Sequence, residues 1–316
     1  MDRHRDQLSR RGMLRGTAAA AAAVGAGASA SASMIAPAAA APDTDARGAG
    51  GAHRVPPDRI SIQLYTLRDQ LAIDLDGTLA ALREIGYRRV EHAGFVGRTA
   101  AEFRAALDAA GLRATSGHVG IPQPFDAASW EAALADAAII GNRYIVHPFF
   151  GAENNQPIRD AARYEAFARD LNRAGRLARR AGLSFGYHNH QNEFFRMTND
   201  GRTGFEILAT RTDPDLVHLE LDLFWTWRGA ADPVDVIRRY PGRVRQVHVK
   251  DLNPAGSFED PGRGLIDFGR IFRLARTAGL AEYIVERDDA GTGSRPPAAA
   301  LDTARVGYTY LASLRF

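Results

Sequence analysis

The sequence predicts an α/β protein built as a (β/α)8 TIM barrel. Eight short apolar runs alternate with eight segments of helical periodicity, which is the pattern of a parallel barrel. About 260 residues follow a leader and linker, close to the usual size of one such barrel. An open doubly wound sheet would require a glycine-rich phosphate turn after the first strand, where 65–69 reads Tyr-Thr-Leu-Arg-Asp instead.

Each predicted strand is a short apolar run that follows a helix end, usually marked by glycine. The strands are 59–65, 89–91, 114–118, 144–147, 183–188, 217–222, 244–249 and 283–286. The helices between them carry apolar residues three or four positions apart, and Asp76 or Thr78 is expected to cap the first. The helices are 79–85, 101–110, 130–140, 164–181, a short one from Phe205, 234–240, 268–278 and 298–314.

The composition excludes several classes of function. The net charge of the 316-residue chain is only +3, and basic residues outside the leader are interleaved with acidic ones. We therefore expect no nucleic-acid partner. The absence of cysteine excludes disulfides, cysteine-based zinc sites and thiol nucleophiles. The sequence leaves open whether the chain forms a homo-oligomer.

The N-terminus has the features of an export signal. Arg10 and Arg11 precede an alanine-rich stretch that is too weakly hydrophobic for a stable membrane span. The paired arginines resemble the twin-arginine type of signal; the alternative is a low-complexity tail with a chance arginine pair. Export through the twin-arginine (Tat) translocon would place the folded protein in the periplasm or outside the cell. The expected organisation is a signal peptide at 1–42, a flexible linker at 43–58 and a single catalytic barrel at 59–316.

Metal-capable side chains stand where three consecutive apolar strands end. Asp222, His248 and Glu286 each close such a run. Chemistry in a TIM barrel lies at the C-terminal ends of the strands, so these side chains are expected on one rim. Carboxylate oxygen combined with imidazole nitrogen fits Mn, Mg, Co, Fe or Zn. A single strand-end histidine is more often a hydrogen-bonding group, but three such residues together predict one bound divalent metal ion.

Further polar residues end strands two to four. Glu91, His118 and His147 lie where an acid or base facing a substrate would stand. Glu91 has the alternative of a salt bridge with neighbouring arginines, and His147 that of a packed strand end. Trp225, soon after Asp222, is expected to stack on a sugar ring or to form an aromatic lid.

Taken in chain order, the polar motifs resemble a known family. They are Gln63-Leu-Tyr65, His118, Tyr187-His-Asn-His190 to Glu193, Asp222, Val247-His248-Val-Lys250-Asp251, Gly262-Arg263-Gly264-Leu-Ile266-Asp267 and Val285-Glu286-Arg-Asp288. Over residues 59–316 this set resembles the sugar phosphate isomerase/epimerase family, which has a xylose isomerase-like barrel.

The resemblance implies one divalent metal bound from strands five to eight by Glu, Asp, His and Glu. Asp222, His248 and Glu286 match three of these positions. The fourth position falls at His188, so either His188 is the ligand or Glu193 substitutes for it. A site with two histidines would shift the preference from Mg towards Mn, Fe, Co or Zn.

The resemblance also implies roles around a reacting sugar. Glu286 would be metal ligand and base together, with Glu91 and His118 as further acid–base groups. Lys250 would hold an oxyanion or a sugar hydroxyl, while Asn189 and His190 would support the ligands or contact the sugar. The expected substrate-binding set is Gln63, Tyr65, His147, Asn189, His190 and Trp225.

Three functions remain open at this point. The first is a secreted metal-dependent sugar isomerase or epimerase that transfers a proton next to a carbonyl through a metal-stabilised enolate. The second is a lyase or dehydratase that uses the same site on a keto sugar, a glycoside or an inosose. The third is a non-catalytic barrel that binds a small carbohydrate. An abasic-site endonuclease on a related barrel would need more metal ligands and a basic DNA-binding face.

Overall fold

The computed structural model describes residues 53–316. The predicted signal peptide at 1–42 and the predicted linker as far as residue 52 lie outside the described residues. Within 53–316, no helix combines the length and the hydropathy that crossing a membrane requires.

Parallel strands form a nearly closed barrel, as predicted. They are β1 (Ile60–Ile62), β2 (Arg89–His92), β3 (Arg113–His118), β4 (Tyr144–His147), β5 (Ser184–His188), β6 (Val217–Asp222), β7 (Val244–Val249) and β8 (Glu282–Val285). Neighbours pair in the order β1, β8, β7, β6, β5, β4, β3, β2. A single bridge between Gln63 and Glu91 joins the two ends of this order, so the seam of the barrel lies between β1 and β2.

Helices connect the strands and cover the outside of the barrel. They are α1 (Arg68–Ile73), α2 (Leu75–Ile85), α3 (Ala100–Ala109), α4 (Ala127–Ile140), α5 (Ala161–Arg180), α6 (Gly204–Arg211), α7 (Leu223–Arg228), α8 (Pro233–Arg239), α9 (Phe268–Phe272), α10 (Ala275–Ala278) and α11 (Ala299–Ser313). Two short antiparallel pairs extend the loops after β4 and β7. They are Ala152–Glu153 with Gln156–Pro157, and Asp251–Leu252 with Phe258–Glu259.

The longest helix, α5, shows why these segments pack as they do. Its buried residues include Tyr164, Phe167 and Leu171, which recur at the spacing of one helical face. The opposite face is rich in arginine and faces solvent. Trp130 of α4 is fully buried, and its indole N–H donates to the carbonyl of Ala174 at 3.1 Å. The polar atom of this large core residue is therefore satisfied by the neighbouring helix.

The first strand is shorter than predicted. It ends at Ile62, and Leu64–Leu67 form a 3-10 helix instead of extended strand. The cause is the side chain of Gln63, whose Oε1 accepts the backbone N–H of Tyr65 at 3.0 Å and so starts the turn. Because of this turn, Gln63 lies at the seam of the barrel rather than on a continuing strand.

The cap predicted for the first long helix is wrong. Neither Asp76 nor Thr78 is the capping residue; Asp74 is, and its Oδ1 accepts the N–H of Gly77 at 2.9 Å. Asp74 has extended backbone angles between α1 and α2, so α2 begins at Leu75. The helix predicted at 268–278 is divided into α9 and α10, where the N–H of Leu274 bonds the Ile271 carbonyl at 3.0 Å.

The end of the segment assigned to the linker packs against the C-terminus. His53 and Phe316 exchange two backbone hydrogen bonds, at 2.8 and 3.0 Å. The side chain of Val55 is 1% exposed and belongs to the main apolar core. Residues 53–58 are therefore held on the barrel, unlike the flexible segment that the sequence predicts.

We expect the free energy of unfolding to depend on pH through His92, a buried residue of β2. Burial lowers the pKa of His92 to about 4, and its Nε2 is 3.0 Å from Oδ1 of Asn142. In the unfolded chain the pKa of a histidine is about 6.5. The unfolded state thus binds an extra proton between these values, so this contribution to stability is present above pH 6.5 and is lost as the pH falls towards 4.

We expect the variant His92→Gln to lose part of that pH dependence. One proton contributes at most about 1.4 kcal/mol per pH unit to the slope of the unfolding free energy. Urea unfolding between pH 4 and 6.5 should therefore give a shallower slope for the variant than for the natural chain. Equal slopes in the two proteins would contradict the assignment of a neutral, buried His92.

Candidate metal centre and active site

Four metal-capable side chains meet at the C-terminal ends of four consecutive strands. His188 ends β5, Asp222 ends β6, His248 lies near the end of β7, and Glu286 follows β8 directly. One ligand atom from each lies within 4.8 Å of the others, and all four residues are buried. Nδ1 of His248 is 2.6 Å from Oε2 of Glu286, and Nε2 of His188 is 3.6 Å from Oδ2 of Asp222. We call this set the upper donor group.

The structure brings His188 into the upper donor group and leaves Glu193 out of it. Glu193 is fully buried in the short 3-10 helix Gln191–Phe194 that follows β5. Its Oε1 accepts the hydroxyl of Tyr187, and its Oε2 accepts the backbone N–H of His190 at 3.1 Å. Burial raises the pKa of Glu193 to about 7. Glu193 therefore holds the loop after β5 in place.

The upper donor group has the chemistry of a divalent cation site. Two imidazoles and two carboxylates supply nitrogen and oxygen ligands of the kind that Mn, Co, Fe and Zn accept. Burial raises the pKa of Asp222 to about 6. Its buried Oδ2 has no hydrogen-bond partner of good geometry, although the Lys250 ammonium lies 2.9 Å away. A buried carboxylate oxygen without a proper partner is a position where a cation fits.

A second layer of carboxylates lies against the imidazoles. Oε1 of Glu220 is 2.6 Å from Nε2 of His118, 3.0 Å from Nδ1 of His188 and 3.1 Å from Nε2 of His248. Glu220 is fully buried inside β6. The imidazoles act against burial to hold the pKa of Glu220 well below its usual range. Together these four residues form another set of potential ligands, the lower group.

Glu91 ties this second layer to the seam of the barrel. Its Oε1 accepts the Gln63 amide at 2.8 Å and lies 2.7 Å from Nε2 of His248. Its Oε2 accepts the hydroxyl of Ser116. Burial, reinforced by the nearby Glu220, raises the pKa of Glu91. Glu91 is 0% exposed, so it is positioned to act through the histidines rather than on a bound molecule.

Lys250 supplies a positive charge at the same rim. Its ammonium is 2.9 Å from Asp222, 2.7 Å from Glu286 and 2.9 Å from Asp288. Burial favours the neutral amine, but these carboxylates outweigh it and raise the pKa of Lys250 well above its usual value. The ammonium also lies 5.6 Å from the centre of the Trp225 ring. Lys250 and a bound cation would therefore both neutralise Asp222 and Glu286.

His118 is the most exposed imidazole of the cluster. Its side chain is 12% exposed, against 1% for His188 and 0% for His248. Its ring stacks on that of His248 with centroids 5.2 Å apart. Burial acts to lower the pKa of His118, but the carboxylates of Glu91 and Glu220 outweigh it and raise the pKa. The ring is thus suited to give and take a proton near neutral pH.

Other residues predicted to bind substrate hold the site together. His147 accepts the N–H of Ile121 through Nδ1 and contacts the carbonyl of Phe149 through Nε2, both at 2.9 Å, so both ring nitrogens are used by the backbone. Oδ1 of Asn189 accepts the backbone N–H of Asp222 at 3.2 Å. The Tyr65 ring lies under the Arg68 guanidinium at 4.1 Å, and Gln63 is occupied at the seam.

His190 and Trp225 form an aromatic wall beside the upper donor group. Their ring centroids are 5.2 Å apart, and the His190 ring also lies 5.1 Å from that of His188. Nδ1 of His190 and Nε1 of Trp225 are buried and have no hydrogen-bond partner. Of the predicted substrate-binding residues, these two have buried polar atoms without a partner, which a hydroxylated ligand would satisfy.

Sequence reasoning missed Glu220 and passed over Asp288 as a partner of Lys250. Glu220 stands two residues before Asp222 on β6, and alternate residues of a strand point to the same side. The available signal was this glutamate in phase with Asp222, at alternate positions of the strand. Asp288 lies two residues beyond Glu286, outside a strand, so strand periodicity did not place it.

Comparisons with known proteins agree with this architecture. The model of a family described as xylose isomerase-like TIM barrel matches residues 79–307. A sugar phosphate isomerase/epimerase from Parabacteroides distasonis has a similar crystal structure, with a TM-score of 0.70 and 26% identity over 86% of this chain and 98% of that chain.

Two curated relatives are inosose dehydratases. The protein from Clostridium botulinum is 30% identical over 129 residues, which are 35% of this chain and 42% of the relative. The match therefore spans less than half of that relative's length. The protein from Geobacillus kaustophilus is 25% identical over 235 residues, which are 62% of this chain and 74% of the relative.

Proposed function

We propose that this protein, which belongs to the xylose isomerase-like TIM barrel family, is a metal-dependent enzyme that transfers a proton next to the carbonyl of a sugar or a cyclic polyol ketone. The observation that carries the proposal is the upper donor group, whose ligand atoms lie within 4.8 Å of one another at the C-terminal rim. In barrels of this kind, reactions occur at that rim.

The residues divide the work between binding and proton transfer. A divalent cation, when bound, would polarise the carbonyl and the neighbouring hydroxyl of the substrate. Glu286 is placed to take the proton from the adjacent carbon, because it is at the rim and 4% exposed. His118 returns a proton from the other side of the cluster. Once a cation neutralises Asp222 and Glu286, the Lys250 ammonium would be free to donate to a substrate oxygen. His190 and Trp225 bind hydroxyl groups.

Dehydration is the second candidate, and the state of His118 favours it. Loss of water from a keto polyol requires a base for the carbon-bound proton and an acid for the departing hydroxyl. The carboxylates around His118 raise its pKa, which keeps a proton available on the ring near neutral pH. The inosose dehydratases among the relatives are consistent with this chemistry.

Export remains part of the proposal. Residues 1–42 would direct the folded chain through the twin-arginine translocon to the periplasm or the medium. A folded protein can carry through that route a metal that it acquired in the cytoplasm. Outside the cytoplasm, its substrate would be a free rather than a phosphorylated sugar. Comparing the culture supernatant and periplasm with the cytoplasm by immunoblot, with Arg10 and Arg11 intact or changed to lysine, tests this part.

A substrate panel in deuterated water should separate the candidate reactions. The protein, loaded with Mn, Co or Zn, is incubated with inososes, 3-keto-glucosides and free ketoses, and the mixtures are followed by NMR. Deuterium incorporation next to the carbonyl without a dehydrated product indicates an isomerase or epimerase. A dehydrated product in the NMR spectrum indicates a dehydratase. Sugar binding without exchange would favour a binding protein. A chain that takes up no metal and exchanges no proton would contradict the proposed function.

A further inference from the structure

Glu220 makes an arrangement that the proposed reaction does not itself require. One carboxylate oxygen, Oε1, lies within 3.1 Å of three imidazoles, those of His118, His188 and His248. The other oxygen, Oε2, is buried and has no hydrogen-bond partner. Its hydrogen-bond partners are His118 and His188, whereas Nε2 of His248 makes its hydrogen bond with Oε1 of Glu91 at 2.7 Å. A fully buried carboxylate with these contacts depends on the N–H groups of the rings for its stabilisation.

The rings of His188 and His248 point their remaining nitrogens in the opposite direction. Nε2 of His188 faces Asp222, and Nδ1 of His248 faces Glu286. The nitrogens that face Glu220 are therefore Nδ1 of His188 and Nε2 of His248. The two rings use opposite nitrogens, yet the same oxygen contacts both of them.

A neutral imidazole carries its proton on one nitrogen only, and the free nitrogen is the one that binds a metal. A carboxylate that accepts a hydrogen bond from the proton-bearing nitrogen selects the tautomer and orients the ring. We infer that Glu220 is a positioning residue that fixes the tautomer of His188 and, together with Glu91, that of His248, so that His188 would bind the cation through Nε2 and His248 through Nδ1. This inference rests on the proposed function, because it requires the upper donor group to bind a metal.

The lower group provides the competing arrangement. If the metal instead bound among His118, His188, Glu220 and His248, Glu220 would itself be a ligand. The ligating nitrogens would then be Nδ1 of His188 and Nε2 of His248, the reverse of the inferred pair. The two arrangements therefore differ in an observable property of two rings, independently of any enzymatic reaction.

The tautomers can be read directly in the zinc-loaded protein. The chain is labelled with 15N-histidine, and long-range 1H–15N correlation spectra distinguish the ligating nitrogen of each ring, with His188→Gln and His248→Gln for assignment. We expect zinc on Nε2 of His188 and on Nδ1 of His248. Zinc on the opposite nitrogens would place the metal in the lower group and overturn the inference.

The variant Glu220→Gln should disturb the tautomer of His188, while Glu91 still holds that of His248. It should weaken zinc binding by about 10- to 100-fold, the usual effect of losing a carboxylate behind a histidine ligand. Glu220→Asp, which keeps the charge, should recover part of the affinity. The matched control is Glu282→Gln, because Glu282 is equally buried on β8 but binds Arg89 and Gln246 instead of the imidazoles. Zinc affinity, measured by competition with a chromophoric chelator, should be unchanged in that control.

The outcomes separate this inference from the proposed function. Natural tautomers and natural zinc affinity in Glu220→Gln would overturn the positioning role and leave the metal site intact. Failure of the natural protein to bind zinc, cobalt or manganese would overturn both. If Glu220→Gln does not fold, Glu220→Asp decides: its zinc affinity should fall below that of the natural chain, and an unchanged affinity with unchanged tautomers would overturn the inference.

Discussion

Changing Asp222 to asparagine is expected to abolish metal binding and to lower kcat/KM by about a thousandfold or more, because the polarising effect of a bound cation is worth several kcal/mol. The substitution is nearly isosteric. In the natural chain, Oδ1 of Asp222 accepts a hydrogen bond from the N–H of Trp225 at 2.8 Å. The asparagine keeps an oxygen for this bond and so preserves the start of α7. The loss should come with a metal-to-protein ratio near zero by elemental analysis.

The effect on stability should depend on the metal. A ligand at a hundred times its dissociation constant stabilises the folded state by about 2.7 kcal/mol. The natural chain should therefore gain melting temperature when metal is added, and Asp222→Asn should not. The control is Asp288→Asn, since Asp288 also contacts Lys250 at 2.9 Å but is not in the upper donor group. Full metal content in Asp222→Asn would remove that residue from the site.

Among the variants proposed, Lys250→Met should lower the free energy of unfolding most. This loss should be greatest without metal. The substitution leaves Asp222, Glu286 and Asp288 without the ammonium that lies 2.7 to 2.9 Å from them. Removing one partner of a buried ion pair costs about 3–5 kcal/mol. A bound cation also neutralises Asp222 and Glu286, so saturating zinc should restore a measurable part of the free energy of unfolding.

Urea unfolding with and without zinc measures this difference. Arg287→Met is the matched control, because Arg287 is a buried cation that contacts Glu259, Asp260 and Asp289 rather than the upper donor group. Its loss of stability should not change when zinc is added. An identical loss for Lys250→Met in both conditions would show that the lysine and the metal do not share their carboxylates.

Much of the fold and the upper donor group could be predicted because both follow from one regular repeat. Parallel strands begin after glycine-closed helices, and their ends share a rim, so Asp222, His248 and Glu286 could be placed together without coordinates. The choice between His188 and Glu193 could not be made this way. It depends on where β5 ends and on the turn of the next five residues, which directs Glu193 towards Tyr187.

Residues that act inside the barrel were harder to predict than those at its rim. Glu220 lies on β6 between His218 and Asp222, where polar and apolar residues alternate, and only its phase with Asp222 indicates that it faces inwards. His147 had the strand-end position of a catalytic group, but its two nitrogens bond to backbone atoms of Ile121 and Phe149. Strand position determines which rim a side chain reaches, whereas its hydrogen-bond partners are determined by the loops around it.

The seam between β1 and β2 has a consequence for how the protein is made. β1 is near the start of the barrel, but its full pairing partner is β8, where Ile60 lies opposite Tyr283. A nascent chain cannot form this pair until β8 has been synthesised, and Glu286 follows β8 at once. Closure of the ring therefore coincides with arrival of the last member of the upper donor group. The upper donor group can therefore assemble only once the strand that closes the barrel has been made.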